Sequence, residues 1–146
     1  MSEVFSIPDY QKKNLSSAVR KSLKGFRGYP DVAYNAGVVG GVIVHLGFFP
    51  DASNGYYIFG GTSAGAPQMS AITSLGNQLS HEPAGFLNDN LYKLGGIRLL
   101  RFVTHDVTLG NNDFLGVTGY SAAPGWDLTT GWGTPSKGFV LALGSN

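Results

Sequence analysis

The sequence predicts an α/β fold, and three observations carry that prediction. An apolar, aromatic stretch, Tyr56–Phe59, feeds the glycine turn Gly60–Gly61 and then a helix-like segment, Gln68–Leu75. Glycine is abundant, with 22 residues in 146, about twice the usual share of roughly 7%. That points to many turns and close backbone approaches rather than a helical bundle. Finally, strand-like and helix-like apolar spacings both occur along the chain.

Taken in order, residues 10–27 hold Lys12, Lys13, Arg20, Lys21, Lys24 and Arg27, six of the ten basic residues. They read as a solvated face, or alternatively as a surface for an acidic partner. Pro30 biases Tyr29 toward an extended conformation, so Arg27–Ala36 reads as a loop entering a strand. Residues 38–47 and 55–60 read as two strands around the turn Pro50–Gly55. Beyond the glycine turn, Met69, Ile72, Leu75 and Leu79 recur at a spacing near 3.6, which predicts a helix with these residues inward. Asn88 is the expected N-cap of a short helix, with Leu91 and Tyr92 inward and Gly95–Gly96 ending it. Leu99–Val107 is expected to contain a strand. A last helix is expected with Thr134 as cap, Pro135 at its first position, and Phe139, Val140 and Leu143 along it.

Length and composition set further bounds. A chain of 146 residues makes one domain at most, 1–146, large enough for a core. Charged residues are only 13%, against roughly 25% in an average domain. With 42% hydrophobic residues, disorder is excluded. A net charge of +1 gives no case for a nucleic-acid or membrane partner. No apolar run is long enough to span a bilayer, and Met1–Ser6 does not read as a signal peptide. The absence of cysteine removes disulfides and thiolate metal sites.

The chemistry concentrates first in Gly60-Gly61-Thr62-Ser63-Ala64-Gly65-Ala66-Pro67. A turn between strand and helix exposes the Ser63 hydroxyl, and the glycines let a substrate backbone approach. The helix N-terminus favours developing negative charge. Pro67 fits because the first-turn amides of a helix have no intrahelical partner. The run resembles the nucleophile motif of the sedolisins, the serine-carboxyl peptidases, and subtilisins carry a close relative of it. Gly61-Thr62-Ser63-Ala64-Gly65 also fits the nucleophile elbow of α/β-hydrolases. That rival would use Ser63, Asp89 and His105 in an esterase-type site, although 146 residues is short for such a fold.

A second feature is the pair of segments Phe102–Gly110 and Pro124–Pro135. Asp106 and Asp127 sit there on glycine-rich irregular chain. Such aspartates cap turns, and they also suit a hard cation joined by main-chain carbonyls. The segments resemble the calcium loop of sedolisins. Carried over, that resemblance implies calcium held by the carboxylates of Asp106 and Asp127 and the carbonyls of Val107, Ala123 and Gly125. Ala123 stands where the family usually has glycine. An EF-hand does not fit, since alternating acidic positions and a closing glutamate are missing after Asp106.

Three further stretches are similar to sedolisin segments: Phe5–Gln11, Arg27–Val32 and Leu87–Tyr92, the last with Asp89 in place of a proline. The resemblance runs in order along nearly the whole chain. It implies a subtilisin-like fold, present in part, with a mainly parallel sheet flanked by helices. The implied activity is serine-type peptidase action on a polypeptide substrate at acid pH, with Ser63 as nucleophile. The implied location is secreted or extracellular.

One part of the family pattern is absent. Sedolisins use a glutamate base, an aspartate that orients it and an oxyanion aspartate, all upstream of the matched motifs. The only glutamates here are Glu3 and Glu82, neither in that pattern. The chain therefore reads as the C-terminal part of such a catalytic domain, inactive alone, with an N-terminal part as possible partner. A calcium-stabilised structural or binding fragment is the alternative. Asp31 as a substitute base is weighed against a turn or capping role. His45, His81 and His105 are weighed as bases against structural histidines.

Overall fold

The computed structural model describes residues 1–96 and 100–143. The N-terminal segment forms two short helices, α1 (Asp9–Asn14) and α2 (Ser17–Ser22). Asp9 opens α1 and Lys12 and Lys13 close it, matching the helix dipole. The Ser16 hydroxyl caps α2 by accepting from the Val19 amide at 3.2 Å. Lys12, Lys13, Arg20, Lys21 and Lys24 are exposed, as a solvated face requires.

Strands β1 (Val42–Leu46) and β2 (Gly55–Phe59) follow, close to their expected positions. They pair antiparallel, Val42 opposite Phe59 and Leu46 opposite Gly55. A second two-stranded antiparallel sheet joins β3 (Thr104–His105) to β4 (Thr134–Pro135). The expected mainly parallel sheet is thus corrected: among the described residues both sheets are antiparallel. For β1 and β2 the reason lies in the connection. Only residues 47–54 link β1 to β2, whereas a parallel pair needs a crossover of roughly a dozen residues or more.

A single 3₁₀ turn, Thr62–Ala64, leads into α3 (Gly65–Ser80), which ends at His81 in the left-handed region at φ 58°. The helix matches expectation, but its apolar stripe does not. Met69 and Ile72 pack on the core, while Leu75 and Leu79 are exposed. α4 (Leu87–Gly96) buries Leu91 and Tyr92 as expected, and the residues that would follow its expected end at Gly95–Gly96 lie outside the described residues. It begins before Asn88, so Asn88 is a helical residue rather than the N-cap.

The expected strand over Leu99–Val107 is replaced by α5 (Leu100–Val103) running into β3; Leu99 itself lies outside the described residues. Tertiary packing overrides the strand-like pattern here: the Phe102 carbonyl accepts from the Ser136 hydroxyl at 2.6 Å. Ser136 also accepts from the Gly138 amide at 3.2 Å, so it caps α6 (Lys137–Leu143). Thr134 and Pro135 are consequently strand residues, not the start of the last helix. Phe139 is buried and Val140 half-buried; the Leu143 side chain lies outside the described residues.

The core draws on both ends of the sequence. Ile7, Leu15 and Leu23 meet Leu91 and Tyr92 of α4, Val103 of α5, and Trp126, Trp132 and Phe139. By contrast, the β1–β2 hairpin presents Ile43, Tyr56 and Ile58 to solvent, each more than 60% exposed. Among the described residues, no helix is long and apolar enough to cross a membrane.

Candidate active site and metal loop

Ser63 sits in the middle of the 3₁₀ turn and is exposed. The chain reaches it through Gly60 and Gly61. Gly61 adopts φ 100° and ψ 158°, a conformation essentially reserved for glycine. Its amide donates to the Ala36 carbonyl at 2.7 Å. A β-carbon on Gly60 would stand 2.8 Å from the Val38 α-carbon. The segment before β1 therefore buttresses the turn; Gly60 is needed for that approach and Gly61 for its positive φ.

Two clefts flank the turn. One, of about 300 Å³, is lined by Val42, Val44, Phe59, Ser63 and Pro67. The other, of about 340 Å³, lies between Pro30, Val32 and Tyr34 on one side and Thr62, Ala66 and Met69 on the other. Among the described residues, no side chain hydrogen-bonds the Ser63 hydroxyl. Glu3 and Glu82 are exposed, and neither is bonded to it. Asp89 lies on α4 and His105 on β3, and no hydrogen bond links either to Ser63. The structure thus does not assemble the esterase-type triad. His45 packs edge-on against Tyr56 across the hairpin, with centroids 4.9 Å apart. His81 terminates α3. Both positions suit structural histidines.

Asp31 has neither the base role nor a simple capping role. Its Oδ2 receives the Arg27 Nη2 at 2.6 Å, in a pair largely shielded from solvent. Its Oδ1 accepts from the Tyr92 hydroxyl at 2.8 Å, and Asn88 Nδ2 lies 3.3 Å from Oδ2. Gln11, fully buried, donates to the Tyr92 oxygen at 2.7 Å and to the Gly28 carbonyl at 3.0 Å. Burial first, and the Asp31 charge second, push the Tyr92 phenol well above its ordinary range. For Arg27, burial alone would lower the pKa; the bond to Asp31 and its charge outweigh that and raise it. Apart from Arg27, four residues away, these partners are far apart in sequence, and no local pattern announces them.

Asp106 and Asp127, the two carboxylates of the expected metal loop, both bond main-chain amides of segment 123–125. Asp106 Oδ2 accepts the Gly125 amide at 2.8 Å, and Asp127 Oδ2 accepts the Ala123 amide at 2.9 Å. Both carboxylates therefore grip the same short loop. Asp127 is buried, and its Oδ1 also accepts the Thr129 and Thr130 amides at 2.8 and 2.7 Å. The turn-capping role of Asp127 is thus realised. A carboxylate offers about four lone-pair sites, so Asp106, exposed and holding one amide, keeps capacity for a cation. Among the described residues, no protein donor reaches the carbonyls of Val107, Ala123 or Gly125. No group of three or more His, Asp or Glu side chains gathers among the described residues. An ion here would rest on two carboxylates and main-chain oxygen. That all-oxygen donor set fits calcium.

The architecture around Ser63 has a close counterpart among solved structures. The fold superposes with a TM-score of 0.71 on Pseudomonas sedolisin, a serine-carboxyl proteinase solved with two molecules of pseudo-iodotyrostatin. That match has 28% identity and covers 92% of this chain and 32% of the sedolisin chain. The fold thus corresponds to part of a chain of subtilisin-like architecture.

Sequence relatives narrow the class. Kumamolisin of Bacillus sp. (strain MN-32) is 37% identical over 137 residues, covering 92% of this chain and 23% of kumamolisin. Aorsin of Aspergillus oryzae is 35% identical, covering 97% of this chain and 23% of aorsin. No family model matches the chain. The chain belongs to the sedolisin family of serine-carboxyl peptidases. It spans about a quarter of the length of the curated relatives it matches.

Proposed function

We propose that this chain carries the nucleophile of a serine-carboxyl peptidase acting on polypeptides at acid pH. The observation that carries the reading is the exposed Ser63 on its glycine turn at the mouth of a 16-residue helix, in a chain of this family. Ser63 Oγ attacks the scissile carbonyl, forming the acyl-enzyme and releasing the amine product. Water then releases the acid. The dipole of α3 favours the negative charge that develops. A serine hydroxyl needs a base within hydrogen-bond reach, and among the described residues no side chain hydrogen-bonds Ser63. The base glutamate, its aspartate and the oxyanion aspartate are therefore assigned to a preceding part of the peptidase. A protonated oxyanion aspartate accounts for the acid optimum. By family, the setting is extracellular or lumenal.

Calcium is proposed at Asp106 and Asp127 with the carbonyls of Val107, Ala123 and Gly125. The ion would supply structure rather than chemistry, tying residue 106 to the 123–127 loop. The unpartnered Ser63 hydroxyl favours one second reading, in which the chain is a non-catalytic, calcium-stabilised fragment.

Grafting decides between them. This chain would replace the matching segment of Pseudomonas sedolisin, and cleavage of a denatured protein would be followed from acid to neutral pH. Cleavage at acid pH that disappears in Ser63→Ala is the expected result. A folded graft without serine-dependent cleavage refutes the peptidase reading and leaves the fragment reading.

A further inference from the structure

We propose that Asp31 is a positioning residue for Ser63, fixing the main-chain segment on which the nucleophile turn is built. The inference rests on Ser63 being the nucleophile. Its grounds are a chain of contacts rather than proximity. The Asp31 carboxylate is held from three sides, by Arg27, by the Tyr92 hydroxyl and by Asn88. The Asp31 carbonyl accepts the Trp132 amide at 2.9 Å, and the Ala33 amide donates to the Gly133 carbonyl at 3.0 Å. Segment 30–36 is thereby pinned between α4 and the strand-like run 131–133.

The pinned segment then meets the serine turn directly. Ala36 accepts the Gly61 amide at 2.7 Å. The Tyr34 β-carbon lies 3.2 Å from where a β-carbon on Gly65 would stand. Pro30, Val32, Ala33, Tyr34 and Asn35 form one wall of the cleft whose other wall holds Thr62 and Gly65. Gly61 sits at φ 100°, one of the many conformations open to glycine, so its contacts decide which one it holds. The contact to Ala36 is one of them, and the Asp31 cluster keeps Ala36 in place.

The arrangement gives Asp31 a task that its burial alone does not require. Its side chain touches neither Ser63 nor any reacting atom. It sets where the segment runs, the segment sets Gly61, and Gly61 sets the exposure of the Ser63 hydroxyl. A nucleophile misplaced by about 1 Å loses much of its rate advantage.

Amide hydrogen exchange of the 146-residue chain tests this, read at Gly61 and, as reference, at Ser136, whose amide bonds Val103 on the α5–α6 side. In Asp31→Ala, exchange at Gly61 is expected to rise about tenfold, with Ser136 unchanged, since local opening reports locally lost contacts. Asp31→Asn, which keeps an acceptor for Tyr92 but loses the charge facing Arg27, should fall between. Unchanged exchange at Gly61 in a folded variant overturns the proposal, and so does a uniform rise at both amides. If Asp31→Ala does not fold, Tyr92→Phe decides, because it removes one bond to Asp31 and keeps the ring. Gly61 must then accelerate more than Ser136. In the sedolisin graft, Asp31→Ala should lower kcat with KM held. A graft inactive in every form sinks the Ser63 reading while leaving the exchange result to stand or fall alone.

Discussion

Replacing Asp127 by alanine separates the two roles its carboxylate has been given. Asp127 is buried and accepts three amides, from Ala123, Thr129 and Thr130, at 2.7 to 2.9 Å. Each buried donor left unpaired costs about 1–3 kcal/mol. The Thr129 and Thr130 amides sit on half-exposed residues and Ala123 is exposed, so water recovers part of that, leaving about 2–4 kcal/mol for the set. At roughly 2–4 °C per kcal/mol for a chain of this size, Tm falls by about 4–16 °C in chelator, with no metal involved. Asp106→Ala is the control. Asp106 is exposed and holds a single amide, so in chelator it costs under about 1 kcal/mol.

Calcium adds a second layer to the same assay. At a hundredfold excess over Kd, an ion that binds only the folded chain stabilises it by about 2.7 kcal/mol. Both alanine variants should lose this increment, although only Asp127→Ala is weak without metal. Thermal melts of three proteins, each with calcium and with chelator, contain the whole test. Equal wild-type melting in the two conditions removes the metal site. A calcium shift retained in Asp106→Ala removes that residue as a ligand. Asp127→Ala melting like wild type in chelator would refute the hydrogen-bond reasoning itself.

Three other outcomes follow from the structure. Ser63→Ala should leave Tm unchanged, because the side chain is exposed and unbonded, while abolishing turnover in the sedolisin graft. Gly61→Ala adds a β-carbon in open space but at φ 100°, so it should cost about 1–3 kcal/mol of backbone strain alone, read by denaturant melts. Tyr92→Phe should alter the alkaline limb of stability. The folded phenol keeps its proton above the ordinary tyrosine value of 10.0, so above that pH the unfolded chain binds fewer protons and stability falls as pH rises. Removing the hydroxyl removes that slope, and a variant whose alkaline limb parallels wild type would contradict the assignment.

Local signals located most of the elements, and long-range partners decided what they could not. The hairpin, α3 and the inward pair Leu91–Tyr92 follow from periodicity and turn residues within a dozen positions. The parallel sheet inferred from family likeness fails on a local fact, the eight residues between Leu46 and Gly55. Leu75 and Leu79 carry a core-like spacing yet face solvent, since spacing says which side of a helix is apolar but not whether anything covers it. Thr134 and Pro135 look like a helix start, but pairing with β3 takes them and Ser136 becomes the cap. At the site, Ser63 and the Asp106–Asp127 pair were legible as motifs. The Asp31 cluster was not, because Gln11, Asn88 and Tyr92 reach it from as many as 81 positions apart, as between Gln11 and Tyr92.

The uncovered hairpin has a bearing on how the chain behaves in a tube. From Gly28 to Ser80 the only charged residues are Asp31 and Asp51, and neither lies on β1 or β2. Natural sheet edges are usually guarded by lysine, proline or an inward charge. Both outer edges of this two-stranded ribbon lack such guards, and Ile43 and Ile58 lie bare beside each other on one face. A strand from a second molecule finds free amides, free carbonyls and a greasy seat together. Self-association of the isolated chain is therefore expected to rise with concentration through the ten residues of β1 and β2.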